Sequence, residues 1–88
     1  MRITVEISLY PLQEQYLSKI EAFIAQLRRA PGLEIVVNQM STQLRGELGD
    51  VMAALEAAIR QSFGGNTPEV LVAKFLNADL PIRETPPV

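Results

Sequence analysis

Eighty-eight residues, 48% of them apolar, suffice for one small folded domain and exclude wholesale disorder. A formal net charge of −2, with eight basic residues scattered and forming no run, argues against nucleic acid as a partner. The chain has no cysteine and no histidine, which removes disulfides, thiolate and imidazole metal sites, cysteine nucleophiles and every Ser-His-Asp arrangement.

No apolar stretch is long enough to span a bilayer, and the N-terminus opens on an alternating pattern unlike a signal peptide. With no cysteine to oxidise, the expectation is a cytoplasmic protein without direct membrane insertion.

Ile3, Val5, Ile7 and Leu9 alternate with Thr4, Glu6, Ser8 and Tyr10, the period of a half-buried strand. Pro11 ends it, having no N–H to donate. Residues 14–30 read as a helix: Tyr16, Ile20, Phe23, Ile24 and Leu27 form an apolar stripe, Arg28 and Arg29 suit the last turn, and Pro31-Gly32 stops it.

A β-branched strand is predicted over 33–39, a turn near Asn38 to Ser41, and a third strand over about 42–47. A second helix follows, its N-terminus at Gly49 or Asp50, its stripe Leu48, Val51, Met52, Leu55, Ile59 and Phe63, and its stop Gly64-Gly65. A loop at Asn66-Thr-Pro68 precedes a fourth strand over 69–76. The domain is placed at 1–78, and residues 79–88, with three prolines and no periodicity, are expected to form a flexible tail.

The order β-α-β-β-α-β predicts a ferredoxin-like α+β fold, a four-stranded antiparallel sheet in spatial order 4-1-3-2. Right-handed crossovers put both helices on one face. Parity assigns Thr4, Glu6, Ser8, Tyr10, Glu34, Val36, Asn38, Gln43, Arg45, Glu47, Val70, Val72 and Lys74 to the other. That face is too apolar for full solvation and too polar for a core, which suits self-association or ligand binding.

Within it, Asn38-Gln-Met-Ser-Thr-Gln-Leu-Arg-Gly-Glu47 concentrates polar groups beside a small core. Val5-Glu-Ile-Ser-Leu-Tyr-Pro-Leu12, Tyr16, Ile20, Asn38-Gln-Met-Ser-Thr42, Gly46-Glu47 and Val72-Ala-Lys-Phe-Leu-Asn77 together resemble the YkoF-like thiamine-binding protein family, over roughly residues 2–77. The resemblance implies a ferredoxin-like fold that pairs or tetramerises. It also implies non-catalytic binding of thiamine or its hydroxymethylpyrimidine moiety, linked to thiamine salvage or transport. Some relatives carry two such domains in tandem; this chain has one, so two copies would come from a homodimer or homotetramer.

A thiamine-like ligand has a flat aminopyrimidine with donor and acceptor edges and a cationic ring. Its site needs amide or carboxylate groups for the edges and aromatic or anionic surface for the cation. Glu6, Ser8, Tyr10, Asn38, Met40, Ser41, Thr42 and Glu47 are the candidate ligand-binding residues.

Each also has a structural reading. Asn38 and Ser41 can make a turn, Met40 can fill a gap, Thr42 can be an ordinary strand residue, and Tyr10 can anchor a strand end. Ser8 is simply small. Glu6 can pair with Arg45 across the sheet, Glu47 can meet the positive end of the second helix, and Lys74 can protect an edge. No metal, required cofactor or catalytic residue is expected. A structural or regulatory homo-oligomer without a small-molecule ligand is the alternative, and an enzyme using Glu6 or Glu47 ranks third.

Overall fold

The computed structural model describes all 88 residues. The alternating N-terminal run forms β1 (Arg2–Pro11), followed by α1 (Tyr16–Arg28), β2 (Glu34–Val37), β3 (Thr42–Glu47), α2 (Leu48–Phe63) and β4 (Glu69–Leu76). The strands form one antiparallel sheet in the order β2-β3-β1-β4. This is the predicted βαββαβ arrangement with β1 and β3 in the centre.

Alternation does what period two requires. Ile3, Val5, Ile7 and Leu9 from β1, Ile35 from β2 and Leu44 from β3 are buried under the helices. Phe23 and Leu27 of α1 and Val51, Ala54, Leu55 and Ala58 of α2 close the core from above. No helix is long and apolar enough to cross a membrane.

Three local details depart from the sequence-based expectation. β2 spans only Glu34–Val37, because Asn38 already belongs to the turn. α2 begins at Leu48, one or two residues before the predicted Gly49 or Asp50. Its buried face is also rotated. Ala54, Ala58 and Ser62 are inside, while Leu48, Met52 and Phe63 are more than 40% exposed. Small residues let α1 and α2 approach closely, and the bulkier side chains are left at the flanks.

Gly46 serves a similar close approach. A Cβ there would stand 2.8 Å from Leu33 Cδ2 and 2.9 Å from the Gly32 carbonyl oxygen. The β3 backbone thus packs directly against the loop entering β2. Gly32 supplies the one left-handed residue of that loop, with φ of 79°.

The face opposite the helices is not wholly open. Thr4, Arg45 and Glu34 form one row across β1, β3 and β2, and the segment after β4 crosses that row. Thr4 Oγ1 donates to the Ala78 carbonyl at 2.7 Å and accepts from the Leu80 N–H at 2.9 Å. Arg45 Nη1 donates to the Leu80 carbonyl at 2.6 Å. Arg2 pairs with Asp79 at 2.9 Å, and Arg83 with Glu34 at 3.4 Å.

Residues 79–84, expected to belong to a flexible tail, are therefore held to the sheet, and Thr4 is buried beneath them. The anticipated Glu6–Arg45 pair does not form. The register sets Arg45 opposite Thr4 and Glu34, and Arg45 Nε donates to Glu34 Oε2 at 2.7 Å. That hydrogen bond, with further attraction from Asp79 and Glu84, holds the guanidinium above its ordinary pKa.

Candidate functional site

A cleft of about 490 Å³ opens at one end of the sheet, a volume within the range of small-molecule sites. Its floor is the end of β1, Ile7 to Pro11, running on to Leu12. Tyr16, Ile20, Phe23 and Ile24 of α1 form one wall, and the β2–β3 hairpin, Val37 to Thr42, forms the other. The wall on α1 follows from its stripe. Phe23 is buried deep, Ile20 and Ile24 are half-buried, and Tyr16, in the first turn, overhangs the mouth with 55% exposure.

The hairpin is shaped by Asn38. Its Oδ1 accepts from the backbone N–H groups of Met40 and Ser41 at 3.2 and 3.1 Å, and its own N–H donates to the Ser41 carbonyl at 3.0 Å. This is an Asx turn, in which a side-chain oxygen replaces a backbone acceptor. It occupies Oδ1 and leaves the amide Nδ2 without a partner in the fold, so Asn38 can shape the turn and still donate one edge of a hydrogen-bond pattern.

Ser41 Oγ donates to Glu6 Oε2 at 3.0 Å, and Lys74 Nζ stands 3.5 Å from Glu6 Oε1. Glu6 therefore supports the hairpin from the sheet's other face, opposite Gln43 on β3, and does not line the cleft.

Of the eight residues singled out from sequence, Ser8, Tyr10, Asn38, Met40, Ser41 and Thr42 border this cleft. Thr42 is buried, Tyr10 is 54% exposed at the mouth and Met40 is 86% exposed at the hairpin tip. Glu47 is elsewhere. It lies at the far end of β3, opposite Arg2 and roughly 16 Å beyond Thr42 at about 3.3 Å per residue. There it sits at the start of α2 and accepts from the N-terminal ammonium of Met1 at 3.1 Å.

Residue-type reasoning passed over several lining residues. Leu12, Tyr16, Ile20, Ile24, Val37 and Gln39 all border the cleft. Helical spacing assigned Tyr16, Ile20 and Ile24 to the core stripe; Ile20 packs against the core, Ile24 is half-buried, and Tyr16 is exposed. What periodicity does not carry is that the hairpin stands away from the first turns of α1. A tyrosine in the first helical turn was the available signal.

No residue in the lining is charged. The cleft thus offers amide and hydroxyl groups, the Tyr16 phenol ring with Tyr10 at its border, and an aliphatic floor. It can hold a flat, largely apolar molecule with hydrogen-bonding edges, and one of its hydroxyls, Ser41, is bound to the Glu6 carboxylate behind it. The fold contains no group of three or more acidic residues able to hold a metal ion.

The fold has solved counterparts. A Thermotoga maritima protein described as a candidate thiamine biosynthesis/salvage protein superposes with a TM-score of 0.80 at 20% identity, covering 94% of this chain and 92% of that one. A Streptococcus pneumoniae protein gives 0.81 at 21% identity, covering 91% and 90%. A hypothetical protein of Methanocaldococcus jannascii gives 0.79 at 19% identity, covering 93% and 90%. At such identities these likenesses establish the fold alone. No curated protein matches the sequence. The sequence does match the YKOF-related Family over residues 2–80, a span that takes in every strand, both helices and all the cleft residues. The chain belongs to that family.

Proposed function

We propose that this protein binds thiamine or its hydroxymethylpyrimidine moiety in the cleft between α1 and the β2–β3 hairpin, without catalysing a reaction on it, in thiamine salvage or transport. The observation that carries the reading is the cleft's composition. An aliphatic floor, Tyr10 and Tyr16 at the mouth and the free amide edge of Asn38 suit a flat aminopyrimidine with donor and acceptor edges. Family membership and the description of the Thermotoga protein point the same way. A non-catalytic role fits the engagement of both central-sheet carboxylates, Glu6 by Ser41 and Lys74 and Glu47 by the N-terminus.

A second reading, a structural homo-oligomer with no small-molecule ligand, is favoured by β4. This edge strand has eight residues and no proline, and Val70, Val72, Phe75 and Leu76 are exposed. Lys74 is its only cation. Such an edge can pair with a second copy, so self-association as a dimer or tetramer belongs to both readings.

Thermal unfolding with each compound in large excess separates the two. Ligand at about a hundred times its dissociation constant adds roughly 2.7 kcal/mol, a rise of several degrees in Tm. Tyr16→Ala is expected to reduce that rise. No rise with either compound, together with a dimer or tetramer in sedimentation, would leave the structural reading in place.

A further inference from the structure

We propose that the cleft discriminates against positive charge and prefers an uncharged ligand ring to a cationic one of the same shape. The inference rests on the aminopyrimidine reading of the same cleft and adds to it a rule of selection. Thiamine's second ring is a permanent cation; hydroxymethylpyrimidine has no such ring.

Two independent observations set the sign. First, the lining contains no carboxylate. The acidic group that reaches the hairpin, Glu6, does so from behind Ser41, and its other oxygen already faces Lys74 Nζ at 3.5 Å. A cation entering the cleft would shed water without gaining a counter-charge. Second, α1 begins at Tyr16, which is itself part of the lining, and that helix end has neither a side-chain cap nor an acidic residue in its first turn. The positive end of a 13-residue helix thus faces the mouth with no carboxylate on the helix itself to offset it, the nearest in the chain being the exposed Glu14 of the preceding turn.

Tyr10 and Tyr16 oppose this effect, since a ring face attracts a cation. Both are more than half exposed, and at exposed sites that attraction is at the weak end of its range. It does not replace a missing carboxylate. Asn38 presents its amide because Oδ1 is committed to the turn, and an N–H donor does nothing for a cation.

Calorimetric titration of the full chain tests the rule with three probes: hydroxymethylpyrimidine, thiamine, and the neutral thiamine isostere in which carbon replaces the ring's quaternary nitrogen. The isostere is expected to bind up to roughly fivefold more tightly than thiamine, the most that one exposed helix end supplies. Asn38→Asp keeps the turn's acceptor oxygen and places a carboxylate on the lining. It is expected to narrow or reverse the ratio. Gln39→Glu, at an exposed lining position, does the same if the first variant folds poorly.

Thiamine binding as tightly as the isostere, or more tightly, in the unaltered chain overturns the proposal. So does a ratio that neither added carboxylate moves. Failure of all three probes to bind overturns the aminopyrimidine reading itself, and the two failures are thereby distinguished.

Discussion

Asn38 illustrates how one side chain serves both shape and recognition. From sequence alone, a turn role and a ligand role stand side by side; the geometry assigns its oxygen to the turn and leaves its amide without a partner in the fold. Asn38→Ala therefore removes an acceptor from two backbone N–H groups. The expected cost is about 1 kcal/mol, because the hairpin is exposed and water can replace part of the bond. Faster amide exchange at Met40 and Ser41, with the β1–β4 ladder still protected, would confirm it. Unchanged exchange there would argue against the Asx turn. The residue types that mark this hairpin were legible in the sequence. The division of labour within one amide was not, because it depends on which neighbours the turn brings within 3.2 Å.

At the scale of elements, Lys19 joins three of them. It extends from α1, donates to the Ser62 carbonyl in the last turn of α2 at 3.1 Å, and stands 3.7 Å from Glu69 Oε2 on β4. The Glu69 side chain is 2% exposed, and neither carboxylate oxygen has a hydrogen-bond donor. Lys19 is thus its sole charge partner and also offsets the negative end of α2. Lys19→Met is expected to leave that carboxylate buried and unpaired, at a cost of about 3 kcal/mol. For a domain of this size that lowers Tm by roughly 12 °C or more. Lys19→Met combined with Glu69→Gln should recover part of the loss. A single variant as stable as the native chain would show that the pair contributes nothing. Neither residue stood out in the sequence. They are fifty positions apart, and only the crossover of α1 over the sheet brings them together.

For the molecule as a whole, the strap formed by residues 78–84 changes what the sheet's outer face is. Parity assigns Thr4, Arg45 and Glu34 to that face, and no helix covers it. The chain covers part of it with its own C-terminal segment, through Thr4, Arg45 and Arg2. Thr4→Val keeps the side-chain shape and strand propensity but removes both Thr4 hydrogen bonds. A loss of roughly 1–2 kcal/mol is expected, with faster exchange of the Leu80 amide. Persistent protection of that amide in the variant would mean that Arg45 and the Arg2–Asp79 pair hold the strap unaided. Arg45 stays protonated throughout the ordinary pH range. Its pKa is raised in the fold, so its contribution is whole below the ordinary guanidinium value and fades only as pH rises through the higher folded one.

By itself the sequence determined the element order, the antiparallel sheet with β1 and β3 central, and most of the buried set. Period two, helical spacing and the Pro and Gly stops are local signals that survive in any environment. It also marked the hairpin at Asn38 to Thr42 as the place of interest. Only the tertiary structure decided that Glu47 stands at the opposite end of the sheet, that Tyr16 overhangs a cleft, and that a proline-rich end straps the outer face. These facts depend on register and on long-range closure. A strand pattern says which face a side chain is on, but only pairing says which end.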